Sequence, residues 1–298
     1  MRYAVVTGGN KGIGFEICKQ LAWKGGVLVV FTARDEKKGT EAVEKLRGCG
    51  LADRVVFHRV DVMDPHTINS LVDFIKTQFG RLDILVNNAG ISGTIANTEA
   101  LRAAGLNENW PHETQAGWRE IMKMMMETYE TAVECIQTNY YGAKRMTEAL
   151  IPLLKLSESS RIVNVSSSMG TLQSIRNKWA KGVLGDGENL TEARVEEVLN
   201  QFLRDFEQGL SKAKGWPTLM PAYSVSKAAL NAYTRIAAKK HPAICINCVC
   251  PGFVRTDQTF NFGDLSAEEG AASPVRLALQ PHGGPSGLFF ICEEVSSF

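Results

Sequence analysis

The feature that most constrains the fold is a regular alternation of short β-branched runs with segments of helical period. Strands are predicted at Ala4 to Val6, Val27 to Phe31, Val55 to Phe57, Ile84 to Val86, Ile162 to Val165, Ile244 to Val249 and Gly287 to Ile291. Helices are predicted at about Gly12 to Lys24, Lys37 to Arg47, Pro65 to Phe79, Glu134 to Leu156 and Tyr223 to Lys240. This alternation predicts an α/β fold with a single doubly wound parallel sheet, covered by helices on both faces.

Composition and charge exclude several classes of protein. The chain has 298 residues, of which 44% are hydrophobic, so it can bury a sizeable core. Its net charge of +1 supplies no field to attract nucleic acid, and no apolar run approaches the roughly 18 residues that cross a membrane. Seven cysteines and no apolar leader favour a reduced, cytoplasmic protein with neither nucleic-acid nor membrane partners.

Two stretches interrupt the alternation, at about 91–130 and 171–221. Both exceed the usual two to six residues of a βα loop. Because ligands of open parallel sheets bind beyond the carboxyl ends of the strands, we expect both stretches to form a substrate lid on one domain spanning residues 1–298. The alternative is surface packing without function.

A glycine-rich loop lies between the first predicted strand and the first helix. It reads Thr7-Gly8-Gly9-Asn10-Lys11-Gly12-Ile13-Gly14. Glycines allow a tight turn and close backbone approach, and the amides at a helix N-terminus bind a pyrophosphate. The loop therefore predicts a Rossmann-type dinucleotide site, with Gly8, Asn10, Lys11, Gly12, Ile13 and Gly14 as cofactor-binding candidates.

The end of the second strand indicates which dinucleotide is bound. Dinucleotide-binding folds place their ribose-reading residue about 20 residues after the loop, where this chain has Thr32-Ala33-Arg34. Ala33 leaves room and Arg34 offers a planar fork of donors for a 2′-phosphate, with Lys11 and Lys38 adding charge. The predicted cofactor is NADPH/NADP+. Asp35 opposes this unless it begins the next helix, and the cations are otherwise solvated surface charges.

Two copies of Tyr-x3-Lys compete for the catalytic role. Tyr223 and Lys227 begin a predicted helix after the serine-tipped strand, and side chains four residues apart share one helix face. Tyr140 and Lys144 repeat the spacing without that context, so we expect Tyr140 to pack in the core. Strand alternation alone does not choose among Ser166, Ser167 and Ser168.

Taken together, these motifs resemble the short-chain dehydrogenase/reductase family. The segments that carry the resemblance include Thr7-Gly8-x3-Gly12-x-Gly14, Asn87-Asn88-Ala89-Gly90, Asn139, the serine-tipped strand, Tyr223-x3-Lys227 and Pro251-Gly252. Within the family the chain resembles the plant subgroup of monomer-type reductases that includes menthone reductases and salutaridine reductase.

The resemblance implies a set of site residues. The implied catalytic residues are Asn139, Ser167, Tyr223 and Lys227, of which Asn139 would hold a water that links Lys227 to solvent. The implied cofactor contacts beyond the glycine loop are Arg34, Lys38, Asp61, Val62, Asn88, Ala89, Gly90, Tyr223, Lys227, Pro251, Gly252, Val254 and Thr256. Asp61 and Val62 would lie against the adenine, and Thr256 near the nicotinamide.

The expected reaction is NADPH-dependent reduction of a small apolar ketone to a secondary alcohol, on a terpenoid- or alkaloid-like substrate. Ser167 would stabilise the developing oxyanion and Tyr223 would donate the proton. Lys227 and the nicotinamide charge would lower the tyrosine pKa. The alternatives are reduction of an enone C=C bond, which some relatives perform with the tyrosine position altered, and dinucleotide binding without turnover.

Other sequence signals point away from different chemistries. Cys245, Cys248 and Cys250 lie in a predicted core strand without His partners at zinc spacing, so they are interpreted as small hydrophobes and no metal site is predicted. The serine cluster lacks the Gly-x-Ser-x-Gly elbow of an α/β-hydrolase.

The second insertion bears on assembly. A helix near Thr191 to Gly209 carries an apolar stripe formed by Val195, Val198, Leu199, Phe202, Leu203 and Phe206. Packing this stripe beside the Tyr223 helix would block the surface through which typical relatives dimerise, which predicts a monomer. The alternative is that the stripe itself forms a dimer contact.

Overall fold

The fold is built on one sheet, as a computed structural model shows for residues 1–24, 26–96, 122 and 124–298. In this described part of the chain, eight strands lie in the order β10-β9-β8-β7-β4-β1-β2-β3. Only β10 pairs antiparallel, with β9, and the other neighbours are parallel. The strands are β1 (Arg2–Val6), β2 (Val27–Ala33), β3 (Val55–Arg59), β4 (Ile84–Asn87), β7 (Arg161–Val165), β8 (Cys245–Cys250), β9 (Phe289–Ile291) and β10 (Glu294–Ser296), while β5 (Ile95–Ala96) and β6 (Met125–Met126) form a separate antiparallel pair.

Side-chain alternation along the strands divides the core between the two faces of the sheet. Val5 packs into one hydrophobic cluster, whereas its neighbours Ala4 and Val6 pack into another. The first cluster also holds Leu85 and the second holds Val86. The central strands β1 and β4 are therefore apolar on both faces, which agrees with the predicted doubly wound sheet.

Helices cover both faces and follow the predicted order. They are α1 (Gly12–Lys24), α2 (Glu36–Leu46), α3 (Pro65–Phe79), α4 (Tyr129–Ile136), α5 (Ala143–Leu154), α6 (Lys178–Gly185), α7 (Glu192–Glu207), α8 (Pro221–Lys240) and α9 (Ala267–Ala278). Pro65 begins α3, and Gly80 ends it with a left-handed φ of 72°. Within the described residues, none of these helices is long and apolar enough to span a membrane.

The structure corrects the helix predicted at Glu134 to Leu156. That helix begins earlier, at Tyr129, and a π-helical turn at Gln137–Gly142 separates α4 from α5. A π turn adds one residue to the helical repeat and rotates the following side chains, and hydrophobic periodicity does not reveal it. Asn139 lies within this turn. The hairpin strand β10 and the helices α6 and α9 were not predicted from the sequence.

The second insertion folds against the helix that carries Tyr223. Val195, Val198, Leu199 and Phe202 of α7 are fully buried in the same core cluster as residues of α8. Trp216 donates from Nε1 to the Asp205 carboxylate at 2.8 Å, which fixes the end of the insertion. These four residues of the apolar stripe are therefore covered by this chain itself, while Leu203 and Phe206 are only partly buried.

The first insertion is described only at its ends. There β5 pairs with β6, in the register Ile95 to Met126. Residues 97–121 and 123, which include Trp110 and Trp118, lie outside the described residues. The predicted lid over 91–130 therefore stays a prediction for most of its length.

Candidate active site

A cleft of about 760 Å³ opens at the carboxyl ends of the parallel strands, where β1, β2, β4 and β7 meet the following helices. It is lined by every residue that the sequence analysis assigned to the cofactor, namely Gly8, Asn10, Lys11, Gly12, Ile13, Gly14, Arg34, Lys38, Asp61, Val62, Asn88, Ala89, Gly90, Tyr223, Lys227, Pro251, Gly252, Val254 and Thr256. Ser167 lines it as well. The structure thus gathers residues from six separate loops around one cavity.

The glycine loop forms a cradle with no room for side chains. Gly8 adopts a left-handed φ of 65°, and a Cβ there would lie 2.9 Å from the Ala89 Cα. A Cβ on Gly14 would lie 2.4 Å from the Gly8 carbonyl oxygen. The Asn88 amide donates to the Thr7 and Gly8 carbonyls at 2.9 and 3.1 Å, which holds the loop in this shape. The exposed backbone at the start of α1 suits a pyrophosphate.

At the same end of the cleft as the glycine loop, the predicted phosphate-binding cations already have carboxylate neighbours. Arg34 lies 3.6 Å from Glu134 of α4. Lys11 lies 2.7 Å from Asp257, across the mouth of the cleft. All four side chains are substantially exposed, so each pair is weak and a more highly charged ligand can compete for the cation.

Asp35 has a local role. Its carboxylate accepts a hydrogen bond from the Lys38 backbone N–H at 3.0 Å and caps α2. The acid that argued against a 2′-phosphate site is therefore engaged as a helix cap. Lys38 remains on the lining of the cleft.

Tyr223, Ser167 and Lys227 converge at the inner end of the cleft. Tyr223 shares the lining of the cleft with Ser167 and Gln258, and both polar side chains act to lower its pKa. The Lys227 ammonium donates to the Val165 carbonyl at 2.8 Å and lies 5.6 Å from the centre of the Tyr223 ring. The structure also separates the three serines that the strand pattern left open. Ser166 donates to Asn231 at 2.6 Å, and Ser168 begins the turn after β7.

The expectation that Lys227 and the nicotinamide charge lower the tyrosine pKa concerns the protein with its cofactor, and in the protein alone burial acts in the opposite direction. Burial raises the pKa of Tyr223 above its ordinary value, and the polar side chain of Ser167 acts in the opposite direction but is outweighed. Burial also lowers the pKa of Lys227 to about 8. The protein's own residues therefore hold Tyr223 as a neutral phenol, which is the form that donates a proton.

Asn139 lies behind the cleft and is almost fully buried. Its amide oxygen accepts from the Ile91 N–H at 2.9 Å, and its amide nitrogen donates to the Ile91 carbonyl at 2.9 Å and to the Ser226 hydroxyl at 3.0 Å. These contacts fix the backbone after β4 and the helix that carries Tyr223. The expected water between Asn139 and Lys227 stays a prediction.

The second Tyr-x3-Lys copy lies in the core. Tyr140 is fully buried and packs edge-on against Tyr141 and Tyr233. Lys144 forms ion pairs with Glu192 and Glu196 of α7 at 2.8 and 2.7 Å. The predicted packing role of Tyr140 is confirmed, since neither side chain reaches the cleft.

Two polar residues near Tyr223 were not predicted from the sequence. Gln258 follows β8 and lines the cleft with Tyr223, and Glu127 accepts from the Ala222 N–H at 3.2 Å. Gln258 follows Thr256 by two residues, which is its only sequence signal. Glu127 is 95 residues from its partner and has no signal.

The cysteine run occupies β8 as predicted. Cys248 is fully buried, and burial raises the pKa of its thiol to about 12, so it behaves as a small hydrophobe. Cys250 lines the cleft.

Comparison with known proteins gives consistent matches along the chain. The family model described as short chain dehydrogenase matches residues 2–178, and one described as enoyl-(acyl carrier protein) reductase matches 209–298. The chain is 59% identical to (+)-neomenthol dehydrogenase of Arabidopsis thaliana over 100% of this chain and 98% of that protein. It is 37% identical to a mouse carbonyl reductase whose name specifies NADPH, over 96% and 94% of the two chains. The solved structure of salutaridine reductase from Papaver somniferum superposes with a TM-score of 0.91 at 51% identity, covering 98% of this chain and 99% of that chain.

Proposed function

This chain belongs to the short-chain dehydrogenase/reductase family, and from that premise we propose that it reduces the ketone of a small, largely apolar molecule with NADPH. One observation carries the proposal. Tyr223, Ser167 and Lys227 line the inner end of one cleft whose outer end is the glycine loop. A proton donor and a hydrogen-bond donor for the oxyanion thus lie in the cleft that a dinucleotide would occupy.

Each residue of the site has a separate role in the proposed carbonyl reduction. The bound cofactor supplies the hydride. Ser167 donates a hydrogen bond to the ketone oxygen, which gains negative charge as hydride arrives, and Tyr223 donates the proton that completes the alcohol. Lys227, with a pKa of about 8, is mostly protonated at neutral pH and stabilises the phenolate that remains. Asn139 holds Ser226 and the Ile91 backbone in place.

The cleft fits a dinucleotide, and the cations at its outer end favour a phosphorylated one. Glycine at positions 8 and 14 lets the loop pack against Ala89 and against itself, and the amides at the start of α1 suit a pyrophosphate. Arg34, Lys11 and Lys38 can exchange their weak surface contacts for a 2′-phosphate, which carries more charge than a carboxylate. The naming of the mouse relative for NADPH supports the same choice.

An apolar wall beside Tyr223 supports the substrate class. Met122, Met220 and Phe262 form a buried cluster that contacts Tyr223 and the partly buried Met125. Methionines adapt to irregular apolar ligands. The names of relatives, neomenthol dehydrogenase and salutaridine reductase, describe a terpenoid and an alkaloid substrate for those proteins. We extend that class to this chain, with the two insertions as its lid.

A reduced compartment and a monomeric state complete the proposal. All seven cysteines are free, and four of them are buried. This supports a cytoplasmic location. The coverage of the α8 surface by α7 supports a monomer.

The test is consumption of NADPH with menthone and with salutaridine as probe ketones, followed by identification of the product. We expect a secondary alcohol, whereas a saturated ketone from an enone probe such as cyclohexenone would favour C=C reduction. Tyr223→Phe should bind NADPH normally and lose about 10²- to 10⁴-fold in kcat. The matched control is Tyr140→Phe, which should keep its turnover. Cofactor binding without oxidation of NADPH by any ketone would show a binding protein instead.

A further inference from the structure

Glu127 has a contact that the proposed chemistry does not use. It lies between β6 and α4, largely out of solvent, and one carboxylate oxygen accepts the Ala222 N–H at 3.2 Å. Its other oxygen is buried and has no hydrogen-bond partner among the described residues. Glutamates are seldom buried without a paired cation. The burial of this carboxylate without a paired cation is therefore unusual.

The helix that receives this contact lacks a local cap. Met220 precedes α8 in a left-handed conformation, with φ 47° and ψ 58°, and its side chain packs into the apolar cluster with Met122 and Phe262. Pro221 has no backbone N–H. The Ala222 N–H is thus the first donor at the start of α8, and Glu127 takes the role that a serine or aspartate plays at an ordinary helix start.

The same segment also anchors the other side of Tyr223. Asn139 lies in the π turn that follows α4, and its side-chain amide donates to the Ser226 hydroxyl at 3.0 Å. Ser226 in turn donates to the Tyr223 carbonyl at 2.8 Å. Glu127 therefore holds the residue before Tyr223, and Asn139 holds its carbonyl through Ser226. Glu127 and Asn139 lie at the two ends of α4.

We propose that Glu127 is a positioning residue for the reaction, which fixes the backbone of Tyr223 by capping α8 from the α4 side. The inference rests on the proposed function, because it concerns the proton donor of that reaction. A shift of about 1 Å in a reacting group lowers the rate about 10²-fold. Loss of the cap should therefore act on kcat, while NADPH, bound at the glycine loop, keeps its affinity.

The experiment compares Glu127→Ala and Glu127→Gln with Glu130→Gln. Glu130 lies in the first turn of α4 and is fully exposed, so its substitution removes a nearby carboxylate without touching α8. Two measurements are made on each full-length variant. The first is kcat and KM for menthone together with the Kd for NADPH, and the second is amide hydrogen exchange, by mass spectrometry, of the peptide covering 219–226 without ligand.

We expect Glu127→Ala to exchange faster in this peptide and to lose about 10- to 100-fold in kcat, with the NADPH Kd within about twofold. Glu127→Gln keeps an acceptor oxygen and should stay close to the wild type in both measurements, as should Glu130→Gln. Unchanged exchange and kcat in Glu127→Ala would overturn the proposal. So would a loss of kcat in Glu127→Gln as large as in Glu127→Ala, because the charge rather than the cap would then matter.

The two proposals fail separately. If Glu127→Ala does not fold, Glu127→Gln still tests the proposal. Wild-type exchange and kcat in that variant support the cap, whereas faster exchange together with a lower kcat refutes it. If the wild-type protein reduces no ketone, the proposed function is wrong. The exchange of peptide 219–226 then remains the test of whether Glu127 holds the start of α8.

Discussion

Arg34 and Glu134 face each other across the outer end of the cleft, 3.6 Å apart, and this pair determines what a change at Arg34 will do. Arg34→Asp removes the phosphate donor and adds a second acid beside Glu134. We expect the ratio of kcat/KM for NADPH to that for NADH to fall about 10- to 100-fold, the equivalent of a charge-assisted hydrogen bond of about 1.5 to 3 kcal/mol.

Lys37→Asp is the control for this change, because Lys37 is exposed on α2 and does not line the cleft. Steady-state kinetics with both cofactors give the two ratios. Equal efficiency with NADPH and NADH in the unaltered protein would show that the cations at this end are only surface charges.

Glu127 should also make the stability of the protein depend on pH. Burial raises its pKa from 4.5 to about 7, and the Ala222 N–H only partly opposes this. The folded protein therefore favours the neutral acid, so the contribution is present below pH 4.5 and is lost as the pH rises through about 7. The loss amounts to roughly 3 kcal/mol at about 1.4 kcal/mol per pH unit.

Glu127→Gln does not titrate and escapes this loss. We expect its melting temperature, relative to the wild type, to rise by several degrees between pH 5 and pH 8. Thermal unfolding at the two pH values provides the measurement, with Glu130→Gln as the variant that should follow the wild type. A constant difference at both pH values would mean that the Glu127 carboxyl titrates normally.

At the scale of elements, the second insertion is a structural part of the domain. Phe202 of α7 is fully buried, with its ring centre 5.6 Å from that of Phe206 and 5.3 Å from that of Trp216. Phe202→Ala leaves a cavity between α7 and α8, which typically costs about 3 to 5 kcal/mol.

The measurement is the free energy of unfolding in urea. Asn200→Ala, two residues earlier on the exposed face of α7, should change it by less than about 0.5 kcal/mol. A similarly small effect of Phe202→Ala would mean that α7 unfolds apart from the sheet.

The whole molecule should be monomeric, because α7 covers the α8 face that typical relatives use for dimers. Val195, Val198 and Leu199 are fully buried within one chain, so little apolar surface of the stripe remains for a partner. Light scattering across a concentration series should give the chain mass of 32.7 kDa at every concentration. A stable mass near twice that value would contradict the monomer and place the interface elsewhere.

Sequence alone determined the features whose signal lies within a few residues. The order of the predicted strands and helices and the glycine loop from Gly8 to Gly14 depend on local spacing, and the structure confirms both, apart from the helix that begins at Tyr129 and the unpredicted β10, α6 and α9. The context of the two Tyr-x3-Lys copies was also sufficient to place Tyr140 in the core.

Only the tertiary structure decided the contacts between distant segments. Ser167 differs from its neighbours by its effect on the pKa of Tyr223, Asn139 depends on a π turn, and Lys11 meets Asp257 246 residues away. The cap from Glu127 to Ala222 spans 95 residues. Such contacts and the burial that shifts the pKa of Tyr223 exist only once the sheet and both helical layers have closed, since neither distance nor dielectric environment is encoded in local periodicity.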